Sequence, residues 1–156
     1  MTKREYSSKE IQALIAQRGL KVTQQRLVIL QFMLTRETHP SAEEIHRELV
    51  DQYPSLSLGT VYKTLDSLTS SGLLHKVFCV DGIKRYDVNL QPHAHLYCTT
   101  THQIIDFEDS ELQQIILAYL QDKNIQNFQI EGVQLQIQGT IQNLEKAVKI
   151  ESALTV

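Results

Sequence analysis

The sequence predicts an α+β fold, an N-terminal winged helix-turn-helix followed by a small α/β unit built on an antiparallel sheet. Three observations predict it. Four segments with helical apolar spacing precede a strand, turn and strand within the first 88 residues, and a long alternating segment, Phe128 to Gly139, dominates the remainder. Charge changes sign between the halves: residues 1–90 hold 12 Lys and Arg against 10 Asp and Glu, and residues 91–156 hold 3 against 8. Such asymmetry places a polyanion partner on the first part and a cation on the second. The expected boundaries are 1–88, a linker at 89–92 and a second domain at 93–156.

The first helix is expected from about Ser8 to Arg18, with Ile11, Leu14 and Ile15 inward, Ser7 or Ser8 as cap and Gly19 as stop. A second begins at Thr23 and carries Leu27, Ile29, Leu30 and Leu34. Ser41 caps a third, with Glu44 at capping-box spacing and Ile45, Leu49 and Val50 as its stripe. His39 stands outside these elements, before a proline that keeps it extended. Ser57 caps a fourth helix whose Val61, Leu65 and Leu68 fall at i, i+4 and i+7, ended by Gly72. Leu73 to Cys79, the turn Asp81-Gly82 and Ile83 to Val88 form a hairpin.

In that order of elements the fourth helix is the reader. Thr60, Tyr62, Lys63 and Thr64, off its apolar stripe, are expected to meet double-stranded DNA, with Lys84 and Arg85 of the wing on backbone phosphate. Taken singly, Lys63, Lys84 and Arg85 are each better described as ordinary solvated charges; the order of the helices together with a polar, basic reader helix favours the DNA reading.

After the linker, Ala94 to Cys98 and Gln103 to Phe107 read as strands around the turn Thr99-Thr100-Thr101. Ser110 caps a helix of Glu111 to Asp122 with Leu112, Ile115, Ile116 and Tyr119 on one side. The Phe128 to Gly139 strand completes a three-stranded antiparallel sheet, and a last helix runs from about Ile141 to Ala153. A core this small is marginal alone. Pairing two copies through the Phe128 to Gly139 strand gives a homodimer whose two-fold symmetry suits a palindromic operator.

Potential metal ligands concentrate between Arg85 and Phe107. His93 and His95, one residue apart on an extended chain, point to the same side and can reach one ion. Asp87 and Asp106 add hard oxygen donors, a mixture suited to Fe(II), Mn(II) or Zn(II). For the His-x-His pair alone, a polar strand face is the plainer account. His46 and His75 have no partner at ligand spacing, and Cys79 reads as a small hydrophobe in the sheet.

Apolar residues make up 42% of the chain, and no run reaches the roughly eighteen a membrane helix needs, so no membrane partner is expected. The opening MTKREYSSKE lacks a secretory apolar core, and Cys79 and Cys98 fit a reducing compartment, so the expected location is cytoplasmic.

Several stretches taken together resemble the ferric uptake regulator superfamily of metal-dependent repressors. They are Gly19-Leu20-Lys21-Val22-Thr23-Gln24-Gln25-Arg26, His39-Pro40-Ser41-Ala42-Glu43-Glu44-Ile45, Thr60-Val61-Tyr62-Lys63-Thr64-Leu65, Ser71-Gly72-Leu73-Leu74 and His93-Ala94-His95-Leu96-Tyr97-Cys98. The resemblance implies a winged-helix DNA reader, a C-terminal dimerisation domain and a regulatory Fe(II) or Mn(II) ligated by His39, Asp87, His93, His95 and Asp106, with Zn(II) possible in isolated protein. An aspartate at position 106 is similar to the peroxide-responsive branch, whereas the iron-uptake branch usually has glutamate. In the peroxide-responsive branch peroxide oxidises metal-ligating histidines, by resemblance His39 and His93.

One departure from the family concerns its structural zinc. The family's paired Cys-x-x-Cys motifs are reduced here to Cys98 alone, so no four-cysteine zinc site is expected. Packing of Ile137, Ile141, Leu144 and Val148 is expected to take over its role. Two rival readings remain, an iron-uptake regulator and a small metallohydrolase. The latter lacks a placed general base and leaves the first 85 residues unexplained, so no enzyme is expected.

Overall fold

Side-chain caps set where the first helices begin. In the computed structural model, which describes residues 6–36, 38–78, 81–123 and 125–150, Ser7 Oγ accepts from the Glu10 backbone N–H while the Glu10 carboxylate accepts from the Ser7 N–H. This reciprocal box opens α1 (Ser8–Gln17). Thr23 caps α2 (Gln24–Leu34), Ser41 and Glu44 form a second capping box on α3 (Ala42–Leu49), and Ser57 caps α4 (Leu58–Ser70). Two glycines stop helices for a geometric reason. At Gly19 (φ +73°) and Gly72 (φ +71°) the chain turns left-handed, and paired bonds close each last turn: Leu20 N–H to Ile15 and Gly19 N–H to Ala16, Leu73 N–H to Leu68 and Gly72 N–H to Thr69.

Contacts within the chain fall into two compact units, residues 1–90 and 91–156. The first has one hydrophobic core in which Ile15, Ile29, Ile45, Val61, Leu65 and Leu68 are completely buried. Leu27 and Leu34 of α2 are only partly buried, whereas Val28, Phe32 and Met33 are fully so. Helix α2 contacts both α1 and α4, so its burial does not follow a single stripe. Strands β1 (His75–Phe78) and β2 (Lys84–Asp87) pair antiparallel as the wing, with Gly82 at φ +75° in the turn between them. Cys79 lies outside the described residues.

The second unit contains β3 (Ala94–Cys98), β4 (Ile104–Phe107), α5 (Ser110–Gln121) and β5 (Gln136–Gly139), in sheet order β4-β3-β5. Four expectations need correction here. First, the sheet is mixed: β3 and β4 are antiparallel, but β5 runs parallel to β3. The intervening β4 and α5 form a connection long enough to return the chain to the end where β3 starts. Second, only Gln136–Gly139 of the alternating segment is a strand. A ladder needs a neighbour, and β3 runs beside these residues alone, leaving Phe128 67% and Val133 41% exposed.

Third, no helix follows within residues 141–150. The Asn143 side chain accepts from the Glu145 N–H, a local turn that competes with helix, and the expected end at Ala153 lies outside the described residues. Ile137, Ile141 and Val148 do share a groove of about 350 Å3 with Leu96 and Ile105, but Leu144 is 73% exposed and outside it. Fourth, the cap of α5 is Asp109, one residue before the expected Ser110, and no residue of the helix is buried. The apolar side that includes Ile115 and Tyr119 is solvent-facing among the described residues.

Candidate metal centre and nucleic-acid interface

The first unit supplies one imidazole and one carboxylate. Residues 39–41 lie along β2: Ser41 bridges Arg85 in antiparallel sense, and the Tyr86 N–H donates to the Pro40 carbonyl at 3.1 Å. Continuing that register brings His39 opposite Asp87. Both are buried, with His39 Nε2 3.7 Å from Asp87 Oδ2. The Asp87 carboxylate also accepts from the Asn89 N–H at 2.8 Å, which orients it.

Two imidazoles and a carboxylate come from the second unit. His95 is the cross-strand partner of Asp106, and His93 immediately precedes β3. The Nε2 atoms of His93 and His95 are 3.0 Å apart, and Asp106 Oδ1 lies 3.5 Å from the first and 3.8 Å from the second. His93 Nδ1 is 2.7 Å from the Gln91 carbonyl. An N–H donated there leaves Nε2 as the acceptor nitrogen of the ring, the outer-shell arrangement typical of a metal-ligating histidine. Mixed nitrogen and oxygen donors fit Fe(II), Mn(II) or Zn(II).

Other polar residues are accounted for locally. Tyr97 OH is 2.7 Å from His102 Nδ1. Cys98 is buried, and hydrogen bonds from the Thr100 and Thr101 hydroxyls bring its thiol down to about 6. His75 is exposed and His46 half-buried.

On the reader helix, Lys63 is exposed and Thr60 half-buried, its Oγ1 2.9 Å from Ser57 Oγ. Tyr62 donates its hydroxyl to Glu43 of α3, which pushes the phenol up to about 12 and holds the Glu43 carboxyl below its usual range. Two expected DNA contacts are corrected. Thr64 is 7% exposed, because with Val61, Leu65 and Leu68 it completes the inward i, i+3, i+4 and i+7 face. Arg85 turns its guanidinium inward, with Nη1 3.1 Å from Glu44 and Nη2 3.8 Å from Asp81. Lys84 remains exposed on the wing. Glu43 and Glu44 make pairings across elements, to Tyr62 and Arg85, that carry no spacing signal in the sequence.

A winged helix-turn-helix joined to a small mixed-sheet unit bearing histidine and carboxylate donors defines the class of metal-responsive transcriptional regulators. The ferric uptake regulator family model matches residues 17–138, and the chain belongs to that family. Among its relatives is the peroxide-responsive repressor PerR of Staphylococcus aureus, 29% identical over 129 residues, covering 81% of this chain and 87% of that one. Among solved structures, the Vibrio cholerae ferric uptake regulator is 28% identical with a TM-score of 0.69, covering 83% of this chain and 98% of that one. A zinc-bound manganese uptake regulator is 26% identical with a TM-score of 0.66, over 84% and 98%.

Proposed function

We propose that the chain is a homodimeric repressor that binds palindromic operator DNA when Fe(II) or Mn(II) is held by His39, Asp87, His93, His95 and Asp106. Residues 1–88 form the DNA-binding domain, 89–92 the linker and 93–156 the domain for dimerisation and metal binding. One observation carries the reading: each unit presents an imidazole and carboxylate donor group at the positions the family resemblance marks. An ion taking ligands from both favours one relative arrangement of the units, by the difference in its affinity for that arrangement over others. Thr60, Tyr62, Lys63 and Lys84 then face the duplex.

Peroxide is the proposed signal, supported by Asp106 and by similarity to the peroxide-responsive repressor. Ferrous iron held by these histidines and aspartates would supply the electron that activates hydrogen peroxide, the oxidant. His39 and His93 are the side chains oxidised, and a ligand so altered releases metal and operator together. With Mn(II) the repressor holds DNA and ignores peroxide. A second reading, regulation by iron availability, draws on the likeness to the Vibrio cholerae regulator.

Operator retardation with and without Mn(II) tests the repressor. Binding that needs the metal is expected, and affinity indifferent to Mn(II) would contradict it. Mass spectrometry after Fe(II) loading and a peroxide pulse separates the two signals. A peptide containing His39 or His93 that gains one oxygen atom supports peroxide sensing, whereas unmodified peptides together with iron-dependent binding support iron sensing.

A further inference from the structure

We infer that Arg85 and Glu44 are positioning residues for the His39 and Asp87 half of the metal site, and that their ion pair couples that half to the wing. The inference rests on the proposed metal role of His39 and concerns only the first unit. His39 belongs to no helix or strand, so something other than regular structure must hold it opposite Asp87. Backbone pairing alone is thin there. Pro40 has no N–H to give to a ladder; among the described residues its carbonyl accepts from Tyr86 and one isolated bridge joins Ser41 to Arg85.

Side chains supply the rest of the clamp. One oxygen of Glu44, Oε2, accepts from the Ser41 N–H at 2.7 Å and from Arg85 Nη1 at 3.1 Å. The same carboxylate therefore starts α3 and pins residues 39–41 to β2. Arg85 reaches back to Asp81, whose other oxygen accepts from the Ile83 N–H at 2.9 Å in the wing turn. A continuous set of contacts thus runs from the wing tip through Arg85 and Glu44 to Ser41, two residues from His39. The Arg85 side chain is 11% exposed and that of Glu44 37%, so this half-buried pair is partly shielded from screening by salt. Groups that orient a ligand without touching the ion control affinity in this way.

Glu44→Gln separates the two jobs of the carboxylate, since glutamine preserves the capping box but removes the charge that holds Arg85. In the full-length chain, Glu44→Gln and Arg85→Met are each expected to weaken Mn(II) binding about tenfold, with melting temperature followed separately. Arg85→Lys, which keeps the charge, should recover part of the loss. Hydrogen exchange gives the second readout: Mn(II) should slow exchange of the amides of residues 83–87 in the wild type and much less in Glu44→Gln. His39→Ala distinguishes the possible failures. If His39→Ala weakens Mn(II) binding while Glu44→Gln and Arg85→Met bind as the wild type does, the positioning role is overturned. If all three variants bind as the wild type does, the metal role of His39 falls with it.

Discussion

Thr64 and Lys63 are neighbours on α4 with opposite fates, and the difference follows from one step of helical phase. Lys63 is exposed and Thr64 is buried among the core residues. Lys63→Ala is expected to lower operator affinity and reduce the salt dependence of binding by about one counterion. Stability should change by less than about 0.5 kcal/mol. Thr64→Lys should instead destabilise the fold by more than about 2 kcal/mol, because it buries a charge with no partner provided for it. Urea unfolding and salt-dependent operator titration check both. The i, i+4, i+7 stripe was legible in the sequence, and adding the i+3 position would have moved Thr64 inward. Arg85 was not legible in this way, because its partner Glu44 lies on another element.

Cys98 carries a pH prediction at the same scale. Its thiol sits at about 6, below the ordinary 9.0. A depressed acid contributes stability that is fully present above its unfolded value and is lost as pH falls through its folded value. Stability of the metal-free, reduced chain should therefore rise between pH 6 and 9, and Cys98→Ser should remove that rise. Denaturant midpoints across this range measure it.

Among the elements, those closed by local chemistry were legible. Ser7, Thr23, Ser41 and Ser57 each cap the helix that their position in sequence announces, and Gly19 and Gly72 terminate helices with positive φ. Gly72→Ala is expected to cost about 1 kcal/mol, since an L side chain resists that conformation. Thermal unfolding would register it. Elements that depend on distant partners were less legible. Alternation from Phe128 to Gly139 is genuine, yet only the part beside β3 becomes a strand. Strand direction is not legible either, because alternation carries no information on whether a neighbour runs parallel, as β5 does to β3, or antiparallel. The candidate site divides along the same line. His93 and His95 follow from strand geometry, whereas His39 reaches Asp87 through a bridge between segments far apart in sequence.

For the whole molecule, the proposed dimer accounts for apolar surface that the described residues of one chain leave open. Phe128 is 67% and Val133 41% exposed on the segment expected to pair the two copies. Phe128→Asp should shift the chain towards monomer in sedimentation velocity without unfolding the first unit. A monomeric wild type at the concentrations used for operator binding would argue against the symmetric reading. Because the first unit carries its own buried core, its helices should keep their far-ultraviolet signal in that variant.

The most direct test of the central claim, that one ion takes ligands from both units, is Mn(II) competition titration of the wild type, His39→Ala and His95→Ala. One Mn(II) per chain in the wild type and a comparable large loss of affinity in both variants is the expected result. Wild-type affinity in His39→Ala, with loss confined to His95→Ala, would contradict it by showing that the second unit binds the ion alone.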